Sequence, residues 1–434
     1  MFTFLHVADL HLDSPLKGLE EYPDAPLKQL RHATRRAFDN VVQMALDERV
    51  AFVVVAGDLY DTDWRDYNTG LFFVSRMAKL REAGIPVIIV SGNHDAASQI
   101  TRSLRLPDNV KILSHTHPES YLLEPYNVAI HGQSFATRFV RDDLARNYPQ
   151  ADPSLFTIGL LHTSLETSGD VYAPTTLDLL RSKGYNYWAL GHMHRHEVVH
   201  RNPWVVYTGN IQGRHIREGG AKGCMLVTVE NDAVVQTEWR AVDVLRWARC
   251  AVLLEGCDSM EQVYHLVRER MEELRQQAEG RPLALRVQLR GATPLHHTLH
   301  TKIGHVMEEI RAIAVSFGDC WLEKVELELS APHAKSDLLG AASPLASLLE
   351  AVDALELPDG SLTSLLPDFE KLRHKLPHEL ISDGDPFAPP ADELEILRDE
   401  VKQLLSATIE ETIGGTTERA IRGSMGGTIG GRNA

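Results

Sequence analysis

Residues 51–61 read AFVVVAGDLYD, an unbroken apolar and largely β-branched run that stops at Gly57 and Asp58. A run this long with no polar alternation describes a strand covered on both faces, which is the habit of parallel sheets. In open α/β sheets the working residues gather outside the carboxyl ends of such strands. Asp58 therefore reads as a carboxylate delivered to the mouth of a sheet, placed to be shared by two cations. The arrangement recurs. FTFLHVA (2–8) runs into Asp9-Leu10-His11, IPVIIV (85–90) into Gly92-Asn93-His94-Asp95, TIGLL (157–161) into His162, and YNYWAL (185–190) into Gly191-His192-Met193-His194. Five polar motifs, each following an apolar run, are expected on one rim.

Oxygen and imidazole donors without thiolate suit manganese, iron, zinc or magnesium. Two such ions about 3.5–4 Å apart can activate water and stabilise both the attacking and the leaving oxygen at phosphorus. One carboxylate between them offsets their mutual repulsion. Glycines beside the donors let the backbone turn sharply and approach closely. Taken singly, D-x-H and Gly-Asp are ordinary turn chemistry. It is their order, each after a strand, that carries meaning.

Helical spacing over Leu27 to Glu48 and Tyr67 to Ala83 alternates with the first three strands, which predicts a parallel core flanked by helices. Later strands, including WVVYTG (204–209) and GCMLVTV (223–229), crowd together and predict antiparallel edges or a second layer. At 434 residues the chain exceeds one ordinary domain. The expected division is a two-metal phosphoesterase domain over 1–244, a βαβαβ capping domain over 245–330, a helical docking region over 331–412, and a glycine-rich tail over 413–434. The four cysteines are scattered with no C-x-x-C pair, which predicts a reducing, cytoplasmic setting rather than a disulfide framework. No apolar run approaches the roughly 20 residues of a membrane span, so no membrane association is expected. The net charge of −16 disfavours a surface coated in phosphate contacts but leaves room for a local basic groove.

The pattern D-x-H, GD-x-x-D, GNH[DE], H, GH-x-H over about residues 4–194 resembles the calcineurin-like metallophosphoesterases. The phrases FLHVADLHLDSPL, VAGDLYD, VSGNHD, ALGHMH and YTGNIQGRH are similar to SbcD-type bacterial DNA repair exonucleases, particularly the YhaO-like branch. The resemblance implies a sandwich of mixed β-sheets flanked by helices. It implies one metal held by Asp9, His11 and His194, a second by Asn93, His162 and His192, and Asp58 as the bridge. His94 would be the acid, outside the ligand sets, that protonates the leaving oxygen or stabilises the pentavalent phosphorus, oriented by Asp61, which would raise its pKa. Some relatives carry His where Asp61 stands. The implied reaction is attack by metal-bound hydroxide, most naturally with manganese, on DNA from its ends. The chain has no G-x-x-x-x-G-K-[ST] loop, so the resemblance implies a separate SbcC-like ATPase partner, docked around Asp392 to Glu411, and a homodimer.

Two other classes share these residues: a phosphatase or phosphodiesterase for small nucleotides or phosphoproteins, and a non-catalytic scaffold subunit. Complete ligands plus His94 argue against the scaffold. Elsewhere, His6 reads as a packed core residue, and His196 and His200 as solvated or packed beside the ligands. His115 and His117 read as loop residues. Arg214, His215 and Arg217 read equally as phosphate contacts or a solvated loop. Trp64 and Tyr67 are expected to be buried in the helix they begin rather than to stack on a base, and Arg31 to Arg36 to form a wet helix face.

Overall fold

The computed structural model describes residues 1–19, 32–61, 67–97, 105–167 and 170–330. Two six-stranded mixed sheets dominate it. In the first, Phe2–Val7 (β1), Phe52–Ala56 (β2), Val87–Val90 (β3) and Val110–Ile112 (β4) run parallel as neighbours. Gly223–Glu230 pairs antiparallel with β1, and Ala233–Ala241 pairs antiparallel with Gly223–Glu230. In the second, Val128–Gly132, Phe156–His162 and Tyr187–Gly191 run parallel, with Trp204–Tyr207 parallel beside Tyr187–Gly191. Antiparallel Glu119–Leu123 and Glu197–Arg201 close its two edges. Mixed α/β architecture with flanking helices is what the sequence predicts. The buried strand VAIHG and the edge strands ESYLL and EVVHR are additions that the apolar-run pattern does not reveal.

The alternation of strand faces builds the layers. Leu5, Val53, Val55 and Ile89 point one way and pack with Phe38, Val41 and Val42 of helix Ala33–Asp47 (α1) and Phe73, Met77 and Leu80 of helix Tyr67–Glu82 (α2). Phe4, Phe52, Val54 and Ile88 point the other way, against Phe156, Ile158, Leu160, Tyr187 and Ala189 of the second sheet. Phe4 stacks on Phe52 at 5.1 Å, and Tyr187 meets Phe4 edge-on at 5.3 Å. Side chains of this size are each worth about 1.5–3 kcal/mol on full burial, so this aromatic layer fixes the relative register of the two sheets. Both faces of β2 are covered, which is why its sequence does not alternate.

The chain forms two compact units, one of Met1–Cys250, Arg270–Val287 and Ala314–Lys324, the other of Ala251–Glu269, Gln288–Ile313 and Val325 onward. A third sheet consists of Arg246–Leu253, Leu283–Ala292 and Cys320–Ser330 in that order. Helices Met260–Gln277 and Ile303–Ser316 alternate with these strands. Residues 331–434, which contain the expected docking helix Asp392 to Glu411 and the tail, lie outside the described residues, as does Trp64.

Candidate metal centre

The five motifs converge. Asp9 and His11 leave β1, Asp58 leaves β2, and Asn93 opens the short helix that follows β3. His162 ends its strand, and His192 follows the strand that ends at Gly191. The sheets meet at this rim, because the carbonyl of Ala56 at the end of β2 lies 2.9 Å from His162 Nδ1. Gly191 must be glycine there: a Cβ would fall 1.8 Å from that same Ala56 oxygen. Gly92 is equally constrained, since its Cβ would sit 2.2 Å from Asp58 Oδ1.

The backbone at the centre is forced. Asp9, His11, Asp58 and His192 have φ of 51°, 41°, 54° and 103°, in the left-handed region. Each such non-glycine residue costs about 1–3 kcal/mol and persists only where its surroundings dictate it. Here the loops are laced together: Asp9 N–H donates to the Gly57 carbonyl and His11 N–H to that of Asp58, both at 3.0 Å. His192 N–H donates to the Asp9 carboxylate at 3.1 Å.

The nitrogen and oxygen atoms of these side chains face one another at close range. His194 Nδ1 lies 2.7 Å from Glu218 Oε1, and a proton donated to that carboxylate leaves Nε2 bare. That Nε2 faces His11 Nε2 at 3.1 Å. His162 Nδ1–H donates to Ala56, so its bare Nε2 faces Asn93 Oδ1 at 2.9 Å. Asp58 stands between the pairs, with Oδ2 at 3.8 Å from His11 Nε2 and 3.5 Å from His162 Nε2. Lone pairs aimed at shared points are the geometry that cations satisfy. Asp9, His11 and His194 converge as one ligand group, and Asp9, Asp58 and His162 as another. His11, Asp58 and His94 form a third such convergence.

Electrostatics agree. Burial first, then the Arg214 charge, pushes His11 down to about 3. Burial, then His162, does the same to His192. Neutral imidazole is the form that binds metal. His192 packs its ring on Tyr172 at 4.7 Å. Burial opposes ionisation of Asp58, yet His162, His11 and His94 outweigh it and hold the carboxyl below its ordinary value.

His94 sits beside this group, its ring 4.9 Å from that of His11, and has a carboxylate partner of its own. Its Nδ1 lies 3.0 Å from Asp61 Oδ1, and Asp61 in turn accepts from Ser14 Oγ at 2.6 Å. Burial would lower His94; the hydrogen bond to Asp61 and the charge of Asp58 outweigh it and raise its pKa.

Sequence reasoning gave no role to three residues that organise the centre. Asp95 is buried and accepts from the backbone N–H groups of Leu59, Tyr60 and Gly92, tying the second and third motifs together. Glu218 fixes His194 and is itself held by Asn210 and Arg214. Lys222 Nζ donates to the His194 carbonyl at 2.7 Å. Asp95 was in view inside GNHD; nothing in the spacing marks Glu218 or Lys222.

Other expectations are corrected or resolved. Tyr67 is 57% exposed, not buried, because it stands at the outer start of α2. Of the run Arg31 to Arg36, Arg36 is exposed as expected, Arg35 instead forks onto Asp13, and Arg31 lies outside the described residues. His196 is half-buried and stacks on Trp239 at 5.3 Å. His6 is a core residue bonded to Tyr187 Oη at 3.0 Å. Arg214 is a buried strut between Glu218 and Asp61.

Residues 2–196 match the family described as calcineurin-like phosphoesterase, and residues 247–330 match the middle domain of metallophosphoesterase YhaO. An uncharacterized metallophosphoesterase YhaO from Bacillus subtilis (strain 168) is 37% identical over 298 residues, covering 67% of this chain and 72% of that protein. The chain belongs to the calcineurin-like metallophosphoesterases. Family membership and the donor clusters make it a metal-dependent phosphoester hydrolase with sites for two divalent ions. A dimetal phosphatase from Danio rerio is similar at 13% identity, covering 56% of this chain and 96% of its own, but its TM-score of 0.34 is too low to support a conclusion. Among the described residues of this metallophosphoesterase, no helix is long and apolar enough to cross a membrane.

Proposed function

We propose that this chain is a two-metal phosphodiesterase that degrades DNA from its ends, with manganese in the centre. Asp9, His11 and His194 would hold one ion, Asn93, His162 and His192 the other, and Asp58 would touch both. Bound there, the ions supply charge neutralisation at phosphorus and lower the pKa of water. The observation that carries the reading is the His94–Asp61 pair set at the edge of this donor set. A diester leaves as an alkoxide, which needs a proton. Asp61 engages Nδ1 of His94 and favours the charged imidazole, the form that can deliver a proton to the departing oxygen. Ser14 fixes Asp61, so the imidazole is oriented before substrate arrives.

A nucleotide rather than a phosphoprotein substrate is favoured by an aromatic run leading outward from the centre. His192 packs on Tyr172, Tyr172 lies 6.1 Å from Phe139, and Phe139 is 55% exposed with the Arg138 guanidinium 5.6 Å from its ring. Exposed aromatic faces with an arginine suit bases, which all present a π-face. An SbcC-like ATPase partner and a homodimer belong to the same proposal; deletion of residues 385–434 is expected to abolish partner binding and spare the metal centre.

The test is degradation of an end-labelled DNA duplex with manganese by wild type and by His94→Ala. Shortening that the variant loses supports the proposal. Intact DNA beside a hydrolysed small diester, with and without an ATPase partner, would replace it with the small-substrate reading.

A further inference from the structure

The turn Ile216–Glu218 has two sides. On one, Glu218 locks the imidazole of His194. On the other, Ile216 and Arg217 line a pocket of about 540 Å³, with Gly219, Gly220, Trp247 and Arg249. This pocket has an unusual charge. Among its described lining residues three are arginines, Arg217, Arg246 and Arg249, and none carries a carboxylate. Acidic residues outnumber basic ones 60 to 44 over the chain, so an acid-free arginine pocket runs against the general trend.

The three arginines are not equivalent. Arg246 is buried, and its guanidinium reaches Asp243 at 3.0 Å and Glu279 at 2.9 Å, so it is a structural strut. Arg217 and Arg249 are exposed, and among the described residues neither has an ion-pair partner. The frame between them is rigid. The indole Nε1 of Trp247, which is wholly buried, donates to the Gly213 carbonyl at 3.0 Å, and Gly220 N–H donates to the Trp247 carbonyl at 2.9 Å. Two exposed cations on a hydrogen-bonded wall, one of them next in the chain to Glu218, suit an anion that continues from the substrate.

We propose that this pocket is a backbone-phosphate site for the nucleic acid strand, occupied by a phosphate other than the one being cleaved, through Arg217 and Arg249. The inference rests on the DNA reading above and assigns to it the part of the strand held outside the reactive centre. Contacts of this kind set the register of the strand and carry no sequence preference. Each phosphate contact made by an arginine also releases counterions, so it has a salt signature that packing does not.

The experiment is fluorescence anisotropy of a labelled DNA duplex against salt, using the full chain, for wild type, R249E, R217E and R249K. Hydrolysis of bis(p-nitrophenyl) phosphate by the metal-loaded proteins is measured alongside. R249E and R217E are expected to weaken binding about tenfold and to reduce the slope of log affinity against log salt by about one. R249K should keep most of the slope, and small-diester hydrolysis should be unchanged in R249E. Wild-type slope in both charge reversals, with small-diester turnover intact, overturns the inference and leaves the DNA reading standing. Failure of wild type to bind or cut DNA defeats the DNA reading itself. Displacement of DNA by polyglutamate that is lost in R249E would assign the pocket to an acidic peptide and overturn the phosphate assignment.

Discussion

At the residue scale the centre depends on a few groups whose surroundings decide their chemistry. His94→Ala is expected to lower kcat on a phosphodiester by about 10²–10⁴, the ordinary contribution of a positioned acid. Its metal content by elemental analysis should equal that of wild type; loss of an ion would instead make His94 a ligand. Glu218 offers a second test. Burial alone would raise its pKa, but the bonds from His194 and Arg214 outweigh burial and hold the carboxyl below its ordinary range. A glutamate in the unfolded chain titrates near about 4.3. The folded value is lower, so Glu218 stabilises the fold above that pH, and the contribution fades as pH falls below it. Thermal melts of the metal-free protein between about pH 6 and pH 3 should show this loss, and Glu218→Gln should show a shallower one. At neutral pH the same variant removes one of the two carboxylates that Arg214 spans and leaves it Asp61 at 3.8 Å, at a cost of about 1.5–3 kcal/mol for the lost charged hydrogen bonds. A melt unchanged from wild type would remove Glu218 as the strut of His194.

At the element scale, what matters is that strands from two sheets end at the same place. Gly191 and Ala56 come from different sheets and touch backbone to side-chain position. Gly191→Ala puts a Cβ 1.8 Å from the Ala56 carbonyl, and no rotamer relieves a clash with backbone. The strand ends must separate, which loosens the His162–Ala56 hydrogen bond and with it the tautomer that presents Nε2. The variant should lose at least about 2 kcal/mol in a denaturant melt and bind manganese more weakly in a titration. Equal stability and affinity would show that the rim can relax without consequence. The strands carrying ligands were legible because each is a long apolar run covered on both faces. Strands Glu119–Leu123 and Glu197–Arg201 were not, because an edge strand is half-exposed and short, and its residues follow no single-period pattern.

At the scale of the whole molecule, ions bound at the proposed centre would couple metal affinity to folding. Several candidate ligands sit in left-handed backbone with their polar atoms crowded together, a local cost that bound cations would offset. Saturating manganese at about 100-fold above its Kd should stabilise the protein by about 2.7 kcal/mol, and a chelator should remove that increment reversibly. Calorimetry with and without the ion checks this; identical melts would mean that the donors do not form a metal site in the folded chain.

The sequence alone determined the candidate ligand motifs, their order and the mixed α/β core, because those properties are local. An apolar run makes a covered strand, and a polar residue after it reaches the rim whatever the rest of the chain does. Only the tertiary structure decided which donor faces which. The 3.1 Å meeting of His11 and His194 joins residues 183 apart in the chain, and no spacing encodes it. The same holds for Asp95, Glu218 and Lys222, whose roles come from partners that other loops bring to them. It holds too for Arg217 and Arg249, which share a pocket only because the Ile216–Glu218 turn folds against the Trp247 strand. Side-chain type and strand pattern are inherited from neighbours in sequence. Coordination geometry, hydrogen-bond bracing and the charge of a pocket depend on neighbours in space.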